Sequence, residues 1–537
     1  MPVIKAYLQE QWHEIQYSEG KSLKDILNGA GNIVASGCKG NGACGLCRVR
    51  IEKHSLERWS STEQIHLSED ERNAGVHLSC QVFPKTDLTL SILNPARKSE
   101  WHPLPHPDYV CTYPIQNQEQ SSLNTFIGAV DLGTTTISMA LCRMDGKLIS
   151  ACEGQNPQSR IGSDVITRLI CATRTPKDAK QLQNWVISAI TAAQYTCELN
   201  TPIPDRMLQK IFVVGNSAML ALLNGKGADS LLNPDSWDSC MQVCSETHDE
   251  WCHVCGLPGG PSIELIPPIG GFIGSDLLAG IIYTHLLDGQ GTSLFIDFGT
   301  NTEIALWDGT TLWVTSTAGG PAFEGEGITC GMAADPGAVY RITTDPSSHL
   351  WNVDTICGNS IQGICGSGLV DAVALLLISG NIDSLGRIIS DVSSSGIKLP
   401  IPGTSLYINK KDIGVLQQAK AAIGAGVEIL CQMASLDPSH LNQVIVGGAF
   451  GKSLHIENSI AIGLLPSISP DRIKLLENTA LSGCLDLALS NQARMMCKSI
   501  RRSIKLVNLA HSKLFEEYFF QNLYLCPMGS SSGIQNL

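Results

Sequence analysis

Apolar and polar residues alternate in VIKAYLQ and again in WHEIQYSEG near the start of the chain. That period of two is the pattern of half-buried strands joined by a turn, here a β-hairpin. SLKDILNGAG changes the period: Ser22 is placed to cap a short helix that Gly29 or Gly31 ends. CRVRIEK and LSCQVFPKTDLTLSIL return to strand-like stretches, so residues 1–95 read as a small α+β module. Residues 96–125 are rich in proline and polar side chains and show no period, which marks a linker whose histidines and tyrosines receive no role. From residue 126 apolar strands resume, and one pattern occurs twice. FIGAVDLGTTTISMALCRMDGKLI (126–149) and LFIDFGTNTEIALWDGTTL (294–312) each give an apolar strand, Asp-x-Gly-Thr, a second strand and an Asp-Gly turn, at Asp145-Gly146 and Asp308-Gly309. VIVGGAFGKSL (444–454), IFVVGNSAML (211–220) and GICGSGLVDAVALLL (363–377) run from strand through glycine into helix.

Composition changes this picture only in its limits. A chain of 537 residues is long enough for two to four domains. A hydrophobic content of 43% with 16% charged residues fits a soluble globular protein with substantial cores. The net charge of −13 argues against a nucleic-acid partner and gives no case for a membrane. No apolar run approaches the ~18 residues of a membrane helix, and the opening MPVIKAYLQEQWHEI lacks the layout of a signal peptide. Twenty cysteines without a secretion signal predict a reducing cytoplasm.

The cysteines supply the first candidate chemistry. CKGNGACGLC at 38–47 and a later cysteine give Cys38-x5-Cys44-x2-Cys47-x32-Cys80. Four thiolates hold a [2Fe–2S] cluster, two per iron, and Gly40, Gly42 and Gly45 let backbone N–H groups approach the sulfides. A structural zinc site is the alternative, although zinc loops usually pair two short C-x2-4-C units and one such unit occurs here. The spacing and the trailing SCQ resemble [2Fe–2S] ferredoxins with a β-grasp fold. Lys39 stands where glycine is common in that pattern.

The repeated Asp-x-Gly-Thr turn supplies the second. A carboxylate at a strand end can hold a hydrated Mg²⁺, while Gly133 and Gly299 let backbone N–H groups reach phosphate oxygens and threonine hydroxyls add donors. One such turn is weak; two, each after an apolar strand, are not. The pair resembles the phosphate loops of the actin/Hsp70/sugar-kinase superfamily, and VIVGGAFGKSL resembles its adenosine loop. The resemblance implies an α/β actin-like ATPase fold of two duplicated lobes over 126–537, with ATP in the cleft. Asp131 and Asp297 would then organise Mg²⁺ and the attacking water. Gly133, Thr134, Thr135, Gly299, Thr300 and Asn301 would cradle phosphates, and Gly447, Gly448 and Phe450 would lie near adenosine. Glu324, in GGPAFEG, is a further carboxylate for the cleft. Lys420 is expected to line its helix's rim, and Cys142, Cys171, Cys330, Cys365, Cys431 and Cys484 to be core thiols.

The fusion narrows the resemblance. NPQSRIGSDVITRL, VVGNSAMLALLNG, PPIGGFIGSDLLAG, TAGGPAFEGEGITCGM, GICGSGLVDA and DIGVLQQAKAAIGAGVEIL follow in order with IDFGTNTE. Together they look like the reductive activators of corrinoid proteins. That implies electron delivery to the Co(II) of a corrinoid protein or cobalamin-dependent methyltransferase, restoring Co(I) at the expense of ATP, with a separate electron donor. A single chain and a homodimer are both admitted. The start of the kinase-like part by residue 126 leaves no room for the small middle domain of some relatives, and the tail, with Cys526 alone, cannot hold a cluster. Two alternatives stay open: a small-molecule kinase with a redox-sensing ferredoxin domain, and an electron carrier whose conformation a nucleotide sets. CMQVCSETHDEWCHVC at 240–255 also offers Cys240, Cys244, Cys252 and Cys255, with His248 and His253, as a second metal site.

Overall fold

The structure is a computed structural model. It describes the chain apart from residues 1, 9–10, 31–33, 35–46, 53–58, 68, 94–100, 105–108, 116–124, 163, 200–206, 238–260, 290, 320, 345–349, 359, 390–395 and 530–537.

The alternation at the start folds as a hairpin of β1 (Val3–Leu8) and β2 (Gln11–Gln16), with Ile4 and Ala6 inward and Lys5 and Tyr7 outward. β3 (Arg48–Ile51), β4 (Val76–Leu78) and β5 (Leu88–Ile92) complete a sheet of order β2-β1-β5-β3-β4. β1 and β5, the first and last of these five strands along the chain, pair in parallel at its centre, as in a β-grasp. The helix Leu23–Gly29 packs Leu23 and Leu27 into the same core, and the Ser22 hydroxyl caps it by accepting the Asp25 N–H at 3.2 Å.

The large module contains two copies of one sheet. In the first lobe β6 (His102–Pro103), β7 (Phe126–Leu132), β8 (Thr136–Arg143), β9 (Leu148–Gln155), β10 (Leu208–Gly215) and β11 (Ser262–Leu265) lie in the order β11-β10-β7-β8-β9-β6. The second lobe begins with β12 (Ser293–Phe298), β13 (Thr302–Trp307) and β14 (Leu312–Thr317). A three-stranded sheet of β15 (Ala338–Thr344), β16 (Trp351–Thr355) and β17 (Gly363–Ile364) follows, then the pair β18 (Ile397–Lys398) and β19 (Tyr407–Ile408). β20 (Gln443–Gly447), β21 (Ile473–Leu475) and β22 (Lys505–Leu506) return to the main sheet, giving β21-β20-β12-β13-β14-β22. Pairing directions match along the shared strands: β10 and β20 run parallel to β7 and β12, and two antiparallel partners follow in each lobe. The repeat read from the sequence is thus a repeat of topology.

The helices Ser275–Tyr283 and Thr479–Leu489 join the lobes. One continuous core takes Ala129 and Val214 from the first sheet, Phe295, Val314 and Ile445 from the second, and Leu278 and Leu485 from these helices.

The stretch expected to be a tether is built into this core. Strand β6 extends the first sheet, with His102 opposite Glu153. Leu104, Tyr109 and Tyr113 are buried. Asp486, fully buried in Thr479–Leu489, accepts from the Tyr109 hydroxyl (2.8 Å), the Thr112 N–H (3.1 Å) and the Thr112 hydroxyl (2.7 Å). Tyr113 stacks on His285 at 4.7 Å and its hydroxyl donates to the Ile282 carbonyl. A buried carboxylate needs donors, and this segment provides them.

Candidate functional site: a carboxylate-lined cleft and a thiol pair

The duplicated hairpins place Asp131 and Asp297 at equivalent positions near the ends of β7 and β12. Asp131 lies beside Val214 of β10 and opposite Ser138 of β8. Asp297 lies beside Gly447 of β20 and opposite Glu303 of β13. Asp276 joins them from the first turn of Ser275–Tyr283, whose preceding Gly274 is packed against the Gly215 carbonyl at the end of β10; a Cβ there would come within 2.3 Å.

Asp131, Asp297 and Glu303 each feel the charge of neighbouring carboxylates. Burial, then Asp276 and Asp297, push Asp131 well above the usual carboxylate range. Burial, then Asp276, push Asp297 up to about 7, and burial pushes Asp276 up to about 6. Glu303 is raised well above its usual value by burial and then by Asp276, Asp297 and Asp131. It is 5% exposed, and its Oε1 has no hydrogen-bond partner. Like charges this close disfavour ionisation of the set.

The two loops expected to cradle phosphates meet through Thr135, Thr300 and Glu324. Gly133 is needed in the first because a Cβ there would stand 2.5 Å from the Thr136 carbonyl. Its own carbonyl accepts from Asn156 Nδ2 at 2.8 Å. Thr134 is buried: its carbonyl accepts from Arg168 Nη1 at 2.6 Å and its hydroxyl from Asn216 Nδ2 at 2.9 Å. In the second loop the Gly299 N–H donates to the Asn301 carbonyl at 3.1 Å. Thr135 and Thr300 stand 3.1 Å apart, oxygen to oxygen. Glu324 spans them: Thr300 Oγ1 donates to its Oε1 at 2.7 Å and Thr135 Oγ1 to its Oε2 at 3.1 Å. Burial raises the Glu324 carboxyl, opposed by these two hydroxyls and by Arg168.

The glycine turn of the third motif closes on the second hairpin. Gly448 has φ +84°, and a Cβ there would lie 2.1 Å from the Phe298 carbonyl and 3.0 Å from Asp297 Oδ1. Phe450 turns its ring onto Phe298 and Phe323, with centroids at 5.2 and 4.6 Å, and remains partly exposed.

At the other end of the chain, Cys47 and Cys80 are buried with their sulfurs 3.3 Å apart. The hydrogen bond with Cys80, and then burial, push the Cys47 thiol strongly upward. Cys38 and Cys44 lie outside the described residues, as do Cys240, Cys244, His248, Cys252, His253 and Cys255.

The structure therefore brings together Asp131, Asp297, Glu324, Thr135, Thr300 and the glycine turns. Sequence reasoning missed Asp276 and Glu303. Glu303 had a signal, since it mirrors Asp297 about Thr300 in a short hairpin; Asp276 had none. Lys420 does not line a rim. It is buried, donates to the Asn522 and Tyr524 carbonyls, and its pKa is pushed down to about 8 by that burial, so it fastens the C-terminal segment. Cys142, Cys171, Cys365, Cys431 and Cys484 are buried thiols, and Cys330 is half-buried.

A β-grasp module followed by duplicated lobes with facing phosphate-loop hairpins defines an iron–sulfur protein with an actin-like nucleotide-binding fold. Three family profiles match in order: the 2Fe-2S iron-sulfur cluster binding domain over residues 6–85, the RACo middle region over 127–288, and the C-terminal domain of RACo, the ASKHA domain, over 291–532. The chain thus carries, in order, a 2Fe-2S domain and the middle and C-terminal domains described for the RACo family. What that family calls its middle region falls on the first lobe, where the sequence left no room for a separate small domain. The chain is 26% identical over 597 aligned residues to the corrinoid activation enzyme RamQ of Eubacterium limosum, covering 97% of this chain and 98% of RamQ. It is 28% identical to the [Co(II) methylated amine-specific corrinoid protein] reductase of Methanosarcina barkeri, over 49% of this chain and 51% of that one. The solved structure of a reductive activator for corrinoid, iron-sulfur protein superposes with a TM-score of 0.65 at 25% identity, covering 98% of both chains. No helix among the described residues is long and apolar enough to cross a membrane.

Proposed function

We propose that this chain is an ATP-dependent reductive activator: it returns the Co(II) corrinoid of a corrinoid protein or cobalamin-dependent methyltransferase to Co(I), one electron at a time, in the cytoplasm. The observation that carries the reading is the convergence of Thr135, Thr300 and Glu324 at 2.7–3.1 Å in a chain that also carries a thiol pair at 3.3 Å.

The thiol pair fits a [2Fe–2S] cluster, because two thiolates must approach this closely to share one iron. Cys47 and Cys80 would hold one iron and Cys38 and Cys44 the other. The cluster supplies one-electron transfer; the chain surrounds two of its four thiolates with the buried Val49, Leu78 and Leu23 core, which keeps water away. The carboxylates fit Mg²⁺, a cation that takes oxygen ligands and keeps several waters. Among the described residues no three Asp, Glu, His or Cys side chains are close enough to ligate one ion directly. Asp131 and Asp297 would therefore act mainly through water and nucleotide phosphate. Threonine hydroxyls and loop N–H groups would orient the phosphates, and Glu324 would orient the attacking water.

ATP is needed because the transfer is uphill. Plant-type clusters lie near about −400 mV, and each ~59 mV of adverse one-electron gap costs roughly tenfold in equilibrium. Closure of the lobes on nucleotide changes how the corrinoid partner is held, and a held state that weakens an axial ligand of Co(II) raises the cobalt potential. The electron that leaves is replaced by an external one-electron donor.

The test mixes the protein, a chemical reductant, ATP and a purified Co(II) corrinoid protein and records the Co(I) absorption band. The band should rise only with ATP, and ATP hydrolysis should quicken when the Co(II) partner is added. A phosphorylated small molecule in place of Co(I) would overturn the reading in favour of a kinase.

A further inference from the structure

Three aromatic rings tie the glycine turn of β20 to the carboxylate that joins the phosphate loops. Phe298 follows Asp297, Phe323 precedes Glu324, and Phe450 lies in the short helix Gly448–Gly451. Their centroids are 5.8 Å apart for Phe298–Phe323, 5.2 Å for Phe298–Phe450 and 4.6 Å for Phe323–Phe450. Phe298 and Phe323 are buried, whereas Phe450 is partly exposed. The turn Pro321–Glu324 is also braced from behind. Gly366 presses on the Phe323 backbone, where a Cβ would lie 2.2 Å from the Phe323 carbonyl oxygen. Close-packed groups of this kind move together. A shift of Phe450 is thus passed to Phe323, and the next residue is Glu324.

We propose that Phe450 is a positioning residue for the hydrolytic step, acting through the Phe323 ring on the Glu324 carboxylate that spans the two phosphate loops. This rests on the reading of the cleft as an ATPase site. Phe450 sits on the loop expected to receive the nucleoside, yet its ring faces the aromatic pair. A nucleoside seated on Gly447–Gly448 fixes the helix that carries Phe450. The contact between Phe450 and Phe323 then fixes the turn that carries Glu324, held between the Thr135 and Thr300 hydroxyls. An occupied nucleoside loop in this way aligns a carboxylate on the far side of the phosphates. Misplacing such a group by about 1 Å can cost roughly a hundredfold in rate, so partial loss of this contact should cost about tenfold.

The experiment uses the full-length protein and single-turnover hydrolysis of γ-labelled ATP, which keeps slow variants readable, together with equilibrium binding of a fluorescent ADP. Phe450→Leu should slow hydrolysis of bound ATP about tenfold while changing the ADP Kd less than about threefold; Phe450→Tyr should recover most of the rate. Phe450→Met, closer in volume, carries the same measurement should Phe450→Leu lower the Tm. In a Glu324→Gln background Phe450→Leu should cost less than about twofold, because residues that act as one unit are not additive. A full tenfold further loss in that background would overturn the proposal in favour of a general packing role. A raised ADP Kd with an unchanged hydrolysis rate would overturn it in favour of a direct nucleoside contact. ADP binding with no hydrolysis by the wild type would remove the ATPase reading and this inference together, whereas wild-type hydrolysis that Phe450→Leu leaves untouched removes this inference alone.

Discussion

The two phosphate-loop hairpins share a strand order but are held in different ways. The first is fixed from within its own lobe: Asn156, Arg168 and Asn216 all donate to Gly133 or Thr134. The second loop, Gly299–Asn301, is held through its own backbone and the Thr300–Glu324 bond. The residues opposite the two aspartates differ as well, Ser138 in the first hairpin and Glu303 in the second. A duplicated scaffold thus carries one loop that is part of the core and one that answers to the cleft. Under the proposed ATPase reading, the first loop would be a fixed phosphate seat and the second a seat that responds to its contents.

The largest test of that pairing is on the two aspartates. Asp131→Asn and Asp297→Asn should each slow ATP hydrolysis roughly 100- to 1,000-fold, the range expected when a group that stabilises transition-state charge is removed. Single-turnover measurements on both variants decide it. A loss confined to one of them would mean that only one hairpin serves the phosphates.

Next comes the difference in anchoring. Arg168 is fully buried and donates to the Gly162 and Thr134 carbonyls at 2.8 and 2.6 Å. Arg168→Met strands those acceptors and should cost about 2–3 kcal/mol of stability. Thr300→Val removes a half-exposed hydroxyl and should cost less than about 1 kcal/mol. Urea unfolding of the nucleotide-free protein measures both, and equal costs would dissolve the distinction between a core loop and a cleft loop.

How far this site could be read from the sequence follows from the same contrast. The hairpins were legible because strand, glycine turn and strand are local, and their repetition made the lobes legible too. Asp276 was not. Ile-Gly-Ser-Asp occurs at 161–164 and again at 273–276. In the first copy Asp164 caps a helix, accepting the Thr167 N–H at 2.8 Å. In the second, Gly274 packs against the end of β10 and places Asp276 by Asp131 and Asp297. Identical tetrapeptides take different work from their tertiary surroundings. Tyr109 and Thr112 were read as tether for a similar reason: composition records proline and polarity but not a buried acceptor, Asp486, far along the chain. Lys420 was misplaced because helical spacing cannot show that the Asn522 and Tyr524 carbonyls cover it.

The cleft carboxylates make the comparison dependent on pH. Asp297 is raised to about 7 and Asp276 to about 6, and burial with neighbouring carboxylates also raises Asp131 and Glu303 well above their usual values. A carboxyl whose folded pKa exceeds its unfolded value binds its proton more tightly in the fold. Its stabilisation is complete below the unfolded pKa, near about 4, and is lost as pH rises through the folded one. Chelated, nucleotide-free protein should therefore melt several degrees lower at pH 7.5 than at pH 5, and Mg²⁺ should restore the loss at pH 7.5 but add little at pH 5. Glu63, held low by His77 and two backbone N–H groups against its burial, acts in the opposite sense but only at lower pH. Scanning fluorimetry across pH 5–8 with and without Mg²⁺ reads this out; a flat profile would mean that the four groups do not share the cleft.

The smallest effect isolates the difference in the residue opposite each aspartate. Glu303 faces Asp297 from the neighbouring strand, and like charges directly opposite destabilise a sheet. Glu303→Gln keeps the shape and removes the titrating carboxyl, and should gain up to about 1 kcal/mol, roughly 2–4 °C in Tm, for chelated protein at pH 7.5. Burial and the neighbouring carboxylates raise the Glu303 pKa, so the gain should shrink as pH falls from 7.5 to 5. Ser138→Ala, at the matching place in the first hairpin, has no charge to remove and should shift Tm equally at both pH values. If instead Glu303→Gln lowered Tm at pH 7.5 in chelator, Glu303 would be an ionised partner holding the second hairpin in place, and the contrast between a core-fixed first loop and a cleft-governed second would lose its chemical basis.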